Sequence, residues 1–296
     1  MLIKIIERSL KITWKNPILW IFGFLVSYIT TNEIILILNV PWQITQGSEP
    51  SSFIFQLVSS LKLLLKTPEI ATANFLKVVL SLLVFWVIPF LLAVWAEIVL
   101  FLNAKRKLKK ESFSLKNTSK KFLLVLGVNF LLVLINSGFI ELINQSFQSF
   151  TGFRFWGLVI FLLFVELLIF ILVKFVLCSI ILEELNLFSA IKRGILFFRK
   201  FWQKIISLLI LLFLLNLAFG IIINLIAVGG FSPFFILSNL LSKWGICGNQ
   251  TLFYAGLALT GCLVFVLWTF FFAFQNIIWP IFFLSYPKII KTQKFN

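Results

Sequence analysis

No charged side chain occurs between Val78 and Ala96, nor between Thr251 and Pro287, and comparable apolar stretches recur along the chain. A bilayer core needs about 20 consecutive apolar residues per helical crossing. Inside it, each stretch must satisfy its own backbone amides, which a helix does. Composition agrees: 61% of residues are hydrophobic and 12% charged, where a soluble domain carries about 25% charged residues. The chain is therefore expected to be all-α, a polytopic transmembrane helical bundle of about six spans plus interfacial amphipathic helices. The expected spans are 17–40, 76–103, 122–143, 156–182, 205–229 and 251–274, in a single integral membrane domain covering 1–296.

Particular residues set these limits. Residues 2–16 mix Ile5, Ile6, Leu10 and Ile12 with Lys4, Arg8, Lys11 and Lys15, the pattern of a helix lying on a membrane surface. Asn16-Pro17 ends it or turns it into the first span. The charges before that span and the lack of a small-residue cleavage pattern argue against a cleaved signal peptide. Gly47-Ser48-Glu49-Pro50 marks a turn, and residues 53–65 suggest a short interfacial helix. Pro89 is expected to kink the second span. The last uncharged run is too long for one crossing, because about 35 helical residues reach ~50 Å against a ~30 Å core. Gln275, Asn276 and Pro280 therefore predict an end near Phe274, with the remainder at the interface. The 38 Phe and 10 Trp suit lipid-facing helices and interfacial belts. An AT-rich coding sequence, which raises Phe, Ile, Lys and Asn together, accounts for most of the Phe equally well.

The net charge is +16. In a soluble protein this would suggest nucleic acid, but these cations sit between apolar runs, where an anionic lipid surface is the simpler partner. Of the 26 Lys and Arg residues, 20 fall on the side holding residues 4–15, 105–121, 192–204 and the tail, and 5 on the other. The positive-inside rule then places both termini in the cytoplasm, with the protein multi-pass in the cell membrane. Arg8, Lys15, Lys192, Arg193, Arg199 and Lys200 are the candidate contacts for anionic headgroups on the inner face. Topology determination alone accounts for the same cations. No nucleic-acid partner is expected, and the sequence indicates no particular protein partner.

The chain has no His and no Asp. Ser-His-Asp and Cys-His chemistry, His-ligated zinc and most carboxylate-rich metal sites are thereby removed. Cys178, Cys247 and Cys262 form no CxxC pattern, so neither a metal site nor a disulfide framework is indicated. No catalytic residue, cofactor or metal is expected, and the chain does not read as an enzyme.

The basic segments resemble one another. Residues 8–15 read Arg-Ser-Leu-Lys-Ile-Thr-Trp-Lys and residues 193–200 read Arg-Gly-Ile-Leu-Phe-Phe-Arg-Lys, each leading into a span, with 115–121 a weaker third copy. This suggests three helix-hairpin repeats, each a basic interfacial helix followed by two spans. Any inner amphipathic helix would look similar. Within residues 180–202, Glu183-Glu184, Ala190-Ile191 and Lys192-Arg193-Gly194-Ile195 follow the end of a span. This stretch resembles the membrane domain found in glycerophosphoryl diester phosphodiesterases and related bacterial polytopic membrane proteins. The resemblance implies a six-helix plan over most of the chain. It does not imply phosphodiesterase activity, which in the fused enzymes belongs to a separate soluble domain with His and acidic metal ligands.

The polar residues inside the spans are the remaining candidates, since intramembrane charges are costly and often functional. Glu166 and Lys174 lie within the fourth span, eight residues or about 12 Å apart, too far to pair on a straight helix. Lys174 is expected to snorkel to the headgroups. Glu166 is expected to be protonated or bonded to an amide on another helix, such as Asn129, Asn136 or Asn216. Asn129 and Asn136 share a face of the third span, and Asn216 and Asn224 lie in the fifth. Glu97, Glu183 and Glu184 are read as rim carboxylates bracing the basic segments, for example Glu183 with Arg193. Two functions follow: a non-catalytic scaffold, assembly or lipid-interacting protein, or a small-solute or lipid transporter or channel with a polar site around Glu166. A lipid-modifying enzyme ranks below both, since Glu33, Glu49, Glu69 and Glu141 are not grouped by spacing.

Overall fold

The computed structural model describes residues 1–27, 83–109, 116–149, 153–243 and 249–286; these are helical almost throughout, with no strand among them. The helices are α1 (Leu2–Trp14), α2 (Ile18–Ser27), α3 (Ile88–Lys109), α4 (Lys116–Ser149), α5 (Phe153–Glu183), α6 (Leu187–Lys243) and α7 (Asn249–Ser285). Five of them, α3 to α7, are long and apolar enough to cross a membrane. The chain is an all-α helical bundle and a membrane protein. Residues 28–40 of the expected first span, the connection with its interfacial helix, and the start of the second span lie outside the described residues.

The amphipathic helix forms as α1, but its buried face is not the expected one. Ile5, Ser9 and Thr13, one turn apart, are buried, while Ile3, Leu10 and Trp14 are exposed. The Ser9 hydroxyl donates to the Ile5 carbonyl at 2.8 Å and that of Thr13 to the Ser9 carbonyl at 2.9 Å. These small side chains satisfy themselves within the helix and let α1 lie close against α7, its main neighbour. The apolar side of Ile3, Leu10 and Trp14 is left for lipid. α2 then packs backbone to backbone on α7: a Cβ on Gly23 would meet the Thr269 carbonyl oxygen and come within 2.6 Å of the Ala273 nitrogen.

Two expected boundaries are corrected. α6 does not stop at Gly229-Gly230 but continues through Pro233 to Lys243, and α7 does not stop near Phe274 but continues through Pro280 to Ser285. The physical reason is the contact between the two helices, which run antiparallel in one register. Phe219 stacks on Phe271 at 3.8 Å, Gly230 lies against Thr260, and Gly256 against the Phe234 ring. Gly230 and Gly256 are therefore places of close helix approach. The basic segment 187–200 is part of α6 and is separated from its apolar portion by a kink at Phe201 (φ −116°, ψ 17°). The break at Lys15–Pro17 between α1 and α2 occupies the same place in the proposed repeat. Before α3, a π-helical turn at Leu83–Val87 precedes Pro89, where the missing amide of proline leaves the previous turn short of a bond.

The centre of the molecule is the last third of α7. Ala273, Ile277, Ile278, Ile281 and Phe282 are wholly buried among α1, α3, α5 and α6. Phe197 of the basic segment sits 4.8 Å from Phe175 of α5 and 4.9 Å from Phe283 of α7. Lipid tails are as apolar as Leu, so this cluster coheres through close packing and ring geometry rather than escape from water. Each such ring pair contributes roughly 0.5–1.5 kcal/mol beyond burial.

Candidate functional site: a buried charged clamp

Three helices bring one polar side chain each to the same depth. Lys174 of α5 donates to the Glu97 carboxylate of α3 at 2.5 Å, and Asn129 of α4 donates to its other oxygen at 3.0 Å. The Lys174 and Glu97 side chains are 5% and 1% exposed. Asn129 also donates to the Val125 carbonyl in its own helix, and the Lys174 ammonium lies 5.4 Å from the Phe170 ring centroid. Both carboxylate oxygens thus accept from a neighbouring helix. The arrangement supplies what a charge pair away from water requires, a counter-charge together with hydrogen bonds to the remaining lone pairs. Two expectations are corrected: Lys174 turns inward to Glu97 instead of snorkelling, and Glu97 is the hub of the cluster rather than a rim carboxylate.

A second layer lies at the basic end, about 12 Å from the first by helical rise. Lys121 at the start of α4 donates to the Ile181 carbonyl at 3.1 Å and to the Glu184 carboxylate at 2.8 Å. It thereby occupies one of the orphan carbonyls that end α5. Glu184 has φ 62°, left-handed backbone that costs a non-glycine residue energy. The Lys121 bond fixes it there and, with the charge of Lys121, holds the Glu184 carboxyl below its usual 4.5. Arg193 donates to both oxygens of Glu183 at 2.9 and 2.8 Å, the pairing expected from the sequence. This bidentate fork ties the basic segment of α6 to α5. Next to it, Gly194 lets the Val176 side chain approach to 3.0 Å from where a Cβ would stand.

The other expected site residues are dispersed. Glu166 lies about 12 Å beyond Lys174 along α5, is 8% exposed, and makes no hydrogen bond or ion pair among the described residues. Asn136, at the matching level of the antiparallel α4, is also 8% exposed, and its amide oxygen is buried without a partner. Asn216 accepts from Gln275 of α7 at 2.5 Å, and Asn224, exposed, donates to the Gly220 carbonyl of its own helix. The amides thus do not converge on Glu166. Arg8, Lys15, Arg199 and Lys200 are exposed and Lys192 is also on the surface, whereas the Arg193 side chain is 11% exposed and engaged by Glu183.

The sequence carried a signal that would have found the cluster. Glu97 precedes Lys105 by eight residues, Asn129 follows Lys121 by eight, and Lys174 precedes Glu183 by nine. All three sit at one depth from the basic boundary. Counting from that boundary, rather than along one helix, brings them together. Among the described residues, no group of three or more Cys and Glu side chains could hold a metal ion. No protein-family model, curated protein or solved structure matches the chain.

Proposed function

We propose that the chain is a non-catalytic integral membrane protein that acts as a scaffold, assembly or lipid-interacting element. The observation that carries this reading is the use of the intramembrane charges. Glu97, Lys174 and Asn129 spend their bonding on one another in a dry helix junction, where a permeation path would hold such groups open to water. The basic segments are likewise fastened to the bundle, by Arg193 on Glu183 and Lys121 on Glu184. They form a rigid cationic surface suited to an anionic leaflet, the arrangement expected of cytoplasmic-side helices with both termini inside. The likeness of residues 180–202 to the membrane domain of the phosphodiesterase type belongs to the same proposal, since that domain accompanies catalysis without performing it.

The alternative, a transporter or channel centred on Glu166, is favoured by one observation: Glu166 and the Asn136 amide oxygen are buried on facing helices without partners among the described residues. Ion and proton flux into proteoliposomes separates the two readings. The scaffold reading expects flux equal to that of protein-free vesicles and unchanged by Glu166→Gln. Flux above background that Glu166→Gln abolishes would replace it with the transporter.

A further inference from the structure

A cleft of about 640 Å³ opens between the start of α1, the first apolar turns of α6 and the end of α7. Its volume falls in the range of about 300–1,000 Å³ typical of small-molecule sites. Leu2 and Ile3 form one wall, and Ile210, Leu211 and Leu214 the other. The polar groups gather at one end. Lys204 is exposed there, and no carboxylate among the described residues pairs with it. Tyr286 lines the cleft too, and its hydroxyl is buried with no hydrogen-bond partner among the described residues. Ser207 also lines the cleft, its hydroxyl donating to the Gln203 carbonyl at 2.9 Å. α1 also begins here without a side-chain cap, so its first amides are available donors with the helix dipole behind them.

This polarity matches one class of ligand. From Lys204 to Leu214 is ten residues, about 15 Å of helix, half of the roughly 30 Å hydrocarbon core. The cleft is therefore one leaflet deep, cationic at the headgroup level and apolar below. We propose that it binds one anionic phospholipid, with the phosphate held by Lys204 and the Tyr286 hydroxyl and an acyl chain lying along Ile210, Leu211 and Leu214. The Tyr286 phenol is a neutral donor at neutral pH, burial shifts it further upward, and the phosphate gives its hydroxyl an acceptor. Lys204 is counted in the basic segment 192–204 but is not among the six cations named as headgroup contacts. It stands apart from them by facing an apolar cleft at the point where the helix passes from basic to apolar sequence.

The site rests on the lipid-interacting part of the proposed function and not on the absence of transport. A flux-competent protein could hold the same lipid, so the two tests fail independently. Native mass spectrometry of the full chain, titrated with dioleoylphosphatidylglycerol, dioleoylphosphatidylcholine or inorganic phosphate, reads the proposal. One phosphatidylglycerol should be retained in preference to phosphatidylcholine. Lys204→Gln should lower its retention about fivefold, the effect of one cation at an anionic headgroup. Tyr286→Phe should lower it by a further ~2- to 10-fold, the range of one hydrogen bond. Leu214→Trp, at an exposed position on the cleft wall, should displace the lipid without disturbing the fold. Lys107→Gln, at an exposed cation outside the cleft and not among the headgroup candidates, should change nothing. Three results would each overturn the site: equal losses for Lys107→Gln and Lys204→Gln, as diffuse surface attraction would give; retention indifferent to Leu214→Trp; or inorganic phosphate binding as strongly as the lipid with the same dependence on Lys204.

Discussion

Replacing Lys174 by Met keeps the length and apolar stem of the side chain and removes only its charge. Glu97 then keeps a single donor, Asn129, in a position 1% exposed. Stranding one member of a buried pair costs about 3–5 kcal/mol. A lone charge at mid-helix in a membrane costs ~2.5–3.5 kcal/mol, so Lys174→Met should destabilise by roughly 3 kcal/mol. Glu97→Leu should cost a similar amount by stranding the ammonium. The double variant leaves no charge behind, and an apolar pair of similar volume is often neutral or better. It should therefore lie within about 1 kcal/mol of wild type, leaving only the Asn129 bond to lose, worth roughly 0.6–1.7 kcal/mol in a membrane. Reversible unfolding in mixed micelles, followed by tryptophan fluorescence and far-ultraviolet circular dichroism, gives the double-mutant cycle. A coupling energy of about 5 kcal/mol follows, beyond the ~0.5–3 kcal/mol usual for residues in contact, because each single variant strands a buried charge. Additive effects, or single variants indistinguishable from wild type, would refute the clamp.

Further expectations are open to similar measurements. Gly23→Leu should disrupt the seating of α2 on α7 and lower the unfolding midpoint sharply, while Gly127→Leu, where nothing lies within 4 Å of a Cβ, should leave it nearly unchanged. Because Glu184 is left-handed, Glu184→Gly should be more stable than Glu184→Ala by about 1 kcal/mol, although both lose the Lys121 bond; the same unfolding assay checks the difference. The lowered Glu184 carboxyl contributes stability that is present above its usual 4.5 and is lost as pH falls through its folded value. Unfolding followed below pH 4.5 should therefore be less steeply pH-dependent in Glu184→Gln than in wild type, and equal slopes would contradict the pairing.

Much of the architecture was legible because the bilayer makes length and charge decisive. The limits of α5 fall within a few residues of its expected apolar run, 156–182, and the Glu183–Arg193 pair follows from a short loop between opposite charges. The boundaries that failed involve glycine, proline and polar residues read as helix breakers. Gly229-Gly230, Pro233 and Pro280 are kept inside helices by α6 and α7 packing along their length, and that partnership cannot be read from either segment alone. The clamp was missed for a related reason. Glu166 and Lys174 invited comparison because they share a helix, yet a helix separates residues eight apart and its neighbours unite residues at equal depth. Lys174 thus found Glu97, 77 positions away in sequence. The buried face of α1 was misread because Ser9 and Thr13 look polar in sequence and become suitable for burial once their hydroxyls bond the helix carbonyls.

The inward turn of Lys174 can be observed directly in a bilayer. Solid-state NMR of protein in phosphatidylglycerol-containing membranes, with ¹⁵N at the Lys174 ammonium and ¹³C at the Glu97 carboxyl, measures their dipolar coupling. The N···O separation of 2.5 Å requires a strong coupling, together with none between that nitrogen and lipid ³¹P. A nitrogen coupled to phosphorus and not to the carboxyl carbon would mean that Lys174 reaches the headgroups and that the helices are not joined by this pair.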